Sequence, residues 1–138
     1  MAQYWFFLTD PETYSLDQIF QKPQDVWDGV HGANAQRYLR EIQKGDRILG
    51  YHTAPEKRVY ALLEAVSDAY ADPKEVEKTV WVADVKGVRK FARPVPLPEL
   101  RENAKLAQMK FLRIARLAVS PLSAAEYKEI LRMAGENP

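Results

Sequence analysis

The chain is expected to fold as an α+β domain: a curved, mostly antiparallel sheet or small barrel with helices packed outside it. Three observations predict this. The strand-like runs cluster in the middle of the chain and are joined by short turns. Two capping-box patterns, Ser15 with Gln18 and Ser123 with Glu126, open helices near either end. The 138 residues are 46% hydrophobic and 28% charged, which describes one ordinary globular domain, residues 1–138, with a real core.

The elements follow in order. "YWFFL" (Tyr4–Leu8) is an apolar run ended by Asp10-Pro11 and reads as a buried strand. "SLDQIF" opens a short helix that Lys22-Pro23 breaks. "ANAQRYLREIQK" places Ala35, Tyr38, Leu39 and Ile42 at helical spacing, and Gly45 ends it. "RILGYHT" is a strand, followed by a turn around Pro55. "VYALLEAVSDAY" could pass for a helix on composition, but turn signals flank it and strands lie on either side, so a strand is expected. "TVWVADVKGVRKF" alternates until Lys86-Gly87, where a glycine inside a strand predicts a bulge or bend. "RPVPLPEL" reads as an extended connection with a helical turn after Pro98. "KLAQMKFLRIAR" fits one amphipathic helix or two short turns. "RLAVSPL" is the last strand, and "AAEYKEILRMA" is a helix stopped by Gly135.

Composition removes several kinds of chemistry. No apolar run approaches the roughly 20 residues of a membrane span, and the N-terminus lacks the basic and apolar regions of a signal peptide. A cytoplasmic protein is expected, or a nuclear one in a eukaryote, with no membrane partner. There are no cysteines and only two histidines, His31 and His52, so disulfides, thiolate chemistry and sulfur-ligated zinc are out and no metal or other cofactor is expected. Phosphate-cradling loops (GxxxxGK[ST], GxGxxG) and the GxSxG and HExxH motifs are missing, so no catalytic residue is assigned. The net charge of +1 hides a basic stretch from Lys86 to Arg116, the footprint of a polyanion-binding face.

What remains is aromatic and hydrogen-bonding material at element ends. Trp27 precedes the turn pair Asp28-Gly29. Tyr51 and His52 end one strand, Thr9 and Asp10 follow another, and Ser120 closes a third. If these ends share one rim, they form a pocket with aromatic walls and a polar floor, suited to a flat heteroaromatic ligand such as a base. Read singly, each of these residues is equally at home in a core.

The motifs also resemble those of a known family. "YWFFLTDPETYSLDQI" is similar to the opening "YWLFKSEPxxYSxxDL" of EVE domains, and "WDGVHGANAQRYLREIQKGDRILGYHT" to their "WDGVRNYQARNxLRxMKxGDxxxFYHS", with no gap. "ALLEAVSDAYADP" and the run from "WVADV" through "RPVPL" and "RLAVSPL" to the terminal helix continue the likeness over nearly the whole chain. The resemblance implies a PUA-like pseudobarrel that reads modified, expectedly methylated, bases in DNA or RNA. It places Trp27, Tyr51, His52 and Ser120 on pocket positions, with Thr9, Asp10 and Asn34 near them. Arg116 falls on the arginine that precedes the last strand, and the segment around it, with Arg113, Lys110, Arg89 and Lys90, would grip phosphates. The chain departs from the pattern where "KSEP" becomes "LTDP", "RNYQARN" becomes "HGANAQR" and Gln becomes Ser120, positions apt to choose the ligand.

The expectation is therefore a non-catalytic module binding nucleic acid that carries a modified base, as a monomer or weak dimer with a possible protein partner. Two rivals stand beside it. One is a small nucleotide or RNA hydrolase of the ASCH type, with His52 as general base oriented by Asp10 or Asp28. The other is an adaptor that docks a protein in the same groove.

Overall fold

The structure is a computed structural model that describes residues 2–114 and 116–136. Met1, Ala115, Asn137 and Pro138, which the expected domain includes, lie outside the described residues, and Ala115 also falls within the segment read as one helix or two turns.

Among the described residues, seven strands form one mixed sheet in the order β2-β6-β4-β3-β1-β7, with β5 paired to β6. They are β1 (Tyr4–Thr9), β2 (Asp25–Trp27), β3 (Arg47–His52), β4 (Arg58–Ala65), β5 (Tyr70–Ala71), β6 (Trp81–Pro96) and β7 (Val119–Leu122). Only β1 and β3 run parallel, with Leu8 beside Tyr51 and Thr9 beside His52; every other pairing is antiparallel. The sheet curls into a half-barrel with its helices packed around it: α1 (Leu16–Ile19), α2 (Ala33–Leu39), α3 (Leu97–Glu102), a 3-10 turn (Ala104–Leu106), α4 (Lys110–Arg113) and α5 (Ala124–Met133). Among the described residues, no helix is long and apolar enough to cross a membrane.

Strand alternation divides the core between the two faces of the sheet. Trp5, Phe7, Ile48 and Leu63 point to one side, where Leu16, Ile19, Trp27 and Leu39 cover them. Phe6, Leu49, Tyr51 and Leu62 point to the other, against Leu100, Leu106, Met109 and Ile130. A buried carboxylate steadies the first side. Asp46, 1% exposed, accepts from the indole Nε1 of Trp5 at 2.9 Å and from the backbone N–H groups of Gln3 and Gln43, each at 2.9 Å. A buried acid is tolerable only when its oxygens are met in this way.

Local sequence explains most boundaries, and the differences have causes. The Ser15 hydroxyl caps α1 by accepting from Asp17 N at 3.2 Å, without the reciprocal bond from Gln18 that the pattern predicts. Ser123 and Glu126 do form a complete box on α5. The helix from Ala33 ends at Leu39, well before Gly45, because Gln43 and Asp46 bend the chain back toward β3. β2 has no counterpart in the sequence pattern: three residues carry no periodicity, and pairing with β6 makes them a strand. β6 runs on to Pro96, through the prolines that read as a connection. The expected bulge is present: Leu62 pairs with Arg89 and Leu63 with Gly87, leaving Val88 as the additional residue. A side chain at Gly87 would meet the Phe20 ring, with a Cβ only 2.6 Å from Cε1, so glycine is what lets the end of α1 lie against β6. The segment 105–114 takes the two-piece form, a 3-10 turn and α4.

Candidate functional site

Two elements with little regular structure build the site. After β1, Asp10 nucleates a turn: its carbonyl accepts from the N–H of Thr13 and Tyr14, and its Oδ1 accepts from Glu12 N at 2.9 Å. The turn swings Tyr14 back beneath Thr9, whose hydroxyl donates to the Tyr14 carbonyl at 2.7 Å. Tyr14 then meets Trp27, the last residue of β2, edge to face at 5.9 Å and 87°, while Phe7 backs the indole at 4.9 Å. The Tyr14 hydroxyl donates to Asp25 Oδ2 at 2.6 Å. Burial and this carboxylate push the Tyr14 phenol far above its ordinary pKa. Burial opposes ionisation of Asp25 in turn, but hydrogen bonds from Tyr14 and Lys22 outweigh it and hold the acid below the usual carboxylate range. The tyrosine is thus a fixed, neutral donor, and the aromatic wall is rigid.

This wall closes one side of a cavity of about 430 Å³, lined also by Leu8, Thr9, Asp10, Thr13, Val26, Asp28, Gly29, Val30 and Ala118. Its chemistry is mixed in a specific way. Trp27 and Tyr14 offer ring surface, Leu8, Val30 and Ala118 offer methyl-sized apolar contacts, and the exposed acids Asp10 and Asp28 offer acceptors. A flat ring carrying an amino group and a methyl group would find a partner for each feature.

A second, larger groove of about 830 Å³ adjoins the cavity and shares Asp28, Gly29 and Val30 with it. One wall is α2 and its C-terminal cap, with Gln36, Arg37 and Arg40; the other is the segment from Asp72 to Trp81. Gln36 ties the walls together. Its Nε2 donates to the carbonyls of Val30 and Trp81, at 3.0 and 3.1 Å, and its Oε1 accepts from Trp81 N at 2.7 Å.

Of the residues expected in a pocket, the fold brings Trp27, Thr9 and Asp10 together in the smaller cavity. Asn34 is exposed in the first turn of α2 and lines neither space. Tyr51 points through the opposite face of the sheet, 3% exposed, against Phe6 and Phe111 at 5.6 and 4.8 Å. Ser120 is beside Phe6 on β7, so it faces the same way as Tyr51, and its buried hydroxyl has no hydrogen-bond partner among the described residues. His52 is 1% exposed and both its nitrogens are engaged. Nε2 accepts from Leu16 N at 3.0 Å, which requires that Nδ1 carry the proton, and Nδ1 faces Glu56 Oε1 at 3.0 Å. Its ring stacks on Tyr60 at 4.3 Å, and Tyr60 donates to Asp17. All three stand at a strand end, which is what suggests a pocket position. Strand alternation decides instead which way an end residue points.

Sequence reasoning missed Tyr14, Val30 and Ala118 as lining residues. Tyr14 had a signal, four residues after Asp10 where the turn opened by Asp10-Pro11 must return the chain; the small apolar residues had none.

The basic residues separate into two groups. Arg89 pairs with Glu136 at 3.2 Å, Lys90 with Asp17 at 3.0 Å, and Lys86 and Lys105 reach Glu64 and Glu129, each at 3.8 Å. Lys110, Arg113 and Arg116 are exposed and make no ion pair among the described residues. Arg116 has a left-handed backbone, φ 59°, and lies two residues before Ala118 of the cavity wall.

Comparison with known proteins places this architecture. The EVE domain model matches residues 3–133. Thymocyte nuclear protein 1 of Danio rerio is 26% identical over 168 residues, covering 97% of this chain and 73% of that protein. A Rhodopseudomonas palustris protein solved by NMR superposes with a TM-score of 0.91 at 29% identity, covering 97% of this chain and 94% of that one. The crystal structure of human thymocyte nuclear protein 1 in complex with 5-methylcytosine-containing DNA superposes with a TM-score of 0.88 at 24% identity, covering 99% of this chain and 100% of that one.

Proposed function

The chain belongs to the EVE domain family, and from that premise we propose that it is a non-catalytic reader of a methylated base in nucleic acid, acting as one EVE domain. The observation that carries the reading is the cavity of Trp27: a rigid aromatic wall, methyl-sized apolar contacts and two unburied carboxylates within about 430 Å³. Stacking on aromatic side chains is worth about 1–3 kcal/mol per base. The carboxylates of Asp10 and Asp28 are acceptors for the exocyclic amine of cytosine or adenine, and Leu8, Val30 and Ala118 are surfaces for a methyl group. The human relative, whose structure holds 5-methylcytosine DNA, makes methylated cytosine in DNA the first ligand to try. Lys110, Arg113 and Arg116, free of carboxylates among the described residues, would hold phosphates, whereas Arg89 and Lys90 are engaged with Glu136 and Asp17.

Burial of His52 favours the reader over the hydrolase alternative: Nε2 accepts the Leu16 N–H at 3.0 Å and Nδ1 faces Glu56 Oε1 at 3.0 Å, so both ring nitrogens are engaged within the fold.

Titration of matched oligonucleotides with and without 5-methylcytosine, at two salt concentrations, tests the proposal. Wild-type protein should prefer the methylated form at both. Trp27→Phe keeps an aromatic core residue and should reduce that preference. Binding blind to methylation would contradict the reading.

A further inference from the structure

The segment 72–80 joins β5 to β6 and has no role in base reading as described above. It is held at its base, where Asp72 N donates to the Val80 carbonyl at 2.8 Å and Asp72 Oδ1 accepts from Lys74 N at 3.0 Å. Beyond this base stands Val76, 89% exposed, while the other exposed large apolar residues among the described ones lie between 37% and 40%. Lys74 and Lys78 flank it two residues away on either side, and both line the 830 Å³ groove that adjoins the Trp27 cavity. An apolar tip between two cations, on the lip of a groove leading to an aromatic cavity, is an arrangement with a physical use. A base can enter a closed cavity only after leaving its stack, and proteins that open a duplex commonly press an apolar side chain into the step.

We propose that the 72–80 loop is the duplex-opening arm of this protein: Val76 occupies the space that the base vacates, and Lys74 and Lys78 hold the flanking phosphates. This rests on the base-reader reading and extends it, because it commits the target to a duplex. Glu75 and Glu77 alternate with these three residues along the loop. Of the two acids, Glu75 lines the groove, and Arg37 of α2 and Arg40 at its C-terminal cap add positive charge to the same lining. An exposed valine contributes nothing to the core, so its replacement leaves the fold intact.

The test uses the whole chain and a DNA duplex carrying one 5-methylcytosine, beside the same modified strand without its complement. Val76→Ser should weaken duplex binding by at least about fivefold while leaving the single strand unchanged, since an unpaired base needs no wedge. A 2-aminopurine next to the modified base should brighten on wild-type binding and stay quenched with Val76→Ser. Equal affinities of the variant and wild type for the duplex, or equal losses on duplex and single strand, would overturn the proposal. Wild-type protein that distinguishes methylated from unmethylated single strands but never binds the duplex would overturn the arm and leave the reader standing. Absence of any methylation preference would instead overturn the reader itself.

Discussion

At the scale of single residues, the proposed reading assigns some side chains to base recognition and leaves others only to hold the fold. Trp27 is assigned to both. Backed by Phe7 and edged by Tyr14, it is 7% exposed, and truncation to alanine should cost about 3–5 kcal/mol of stability; phenylalanine is therefore the informative substitution for binding. Ser120 makes the contrast. Its hydroxyl is buried without a partner among the described residues, so Ser120→Ala should leave stability unchanged or raise it by up to about 1 kcal/mol, with no change in base preference. A loss of preference would return Ser120 to the site. Arg116 gives a third case. A non-glycine residue at φ 59° carries strain of about 1–2 kcal/mol. Arg116→Gly should be more stable than Arg116→Ala in denaturant unfolding, while both lose the same affinity for nucleic acid. Which aromatics are large and stand at element ends was legible in the sequence. Which way Tyr51, His52 and Ser120 point was not, because orientation depends on the register that pairing with distant strands sets.

At the scale of elements, close approach and capping fix how the helices dock. α1 lies on β6 because Gly87 leaves room for Phe20, so Gly87→Ala should destabilise by about 1–3 kcal/mol through overpacking. Thermal unfolding would show it, and unchanged stability would mean that α1 can shift. α5 is tied down by Glu129, which accepts from Arg132 Nε at 2.9 Å and from Asn103 Nδ2 at 2.6 Å. Those hydrogen bonds, that of Arg132 foremost, hold the Glu129 carboxyl at about 2 against an ordinary 4.5. Because the folded value is depressed, the stabilisation is complete above about pH 4.5 and fades as pH falls toward about 2. Glu129→Gln should flatten the acid side of the stability profile in that window. Both capping serines and the last helix could be read from short-range pattern. β2 and the full length of β6 could not, since a three-residue strand and a proline-bearing strand are made by partners distant in sequence.

At the scale of the whole molecule, the charge asymmetry was visible in composition, but the pairing of those charges depends on which acids the fold brings near. Lys110→Ala with Arg113→Ala should weaken binding to methylated and unmethylated DNA alike and reduce the salt slope, by about 0.9 for each phosphate that is no longer neutralised. Arg89→Ala should leave that slope unchanged, because Glu136 already holds the guanidinium. The central claim, that a base enters the Trp27 cavity, has a more direct test in the three indole N–H signals of this chain. Trp5 is buried and bonded to Asp46, Trp81 lines the neighbouring groove, and Trp27 walls the cavity. On addition of 5-methylcytosine DNA, the Trp27 signal should move more than with the unmethylated sequence, while Trp5 stays in place. A Trp27 signal that does not respond to methylation, with the shifts confined to Trp81, would put the ligand in the groove and contradict the claim.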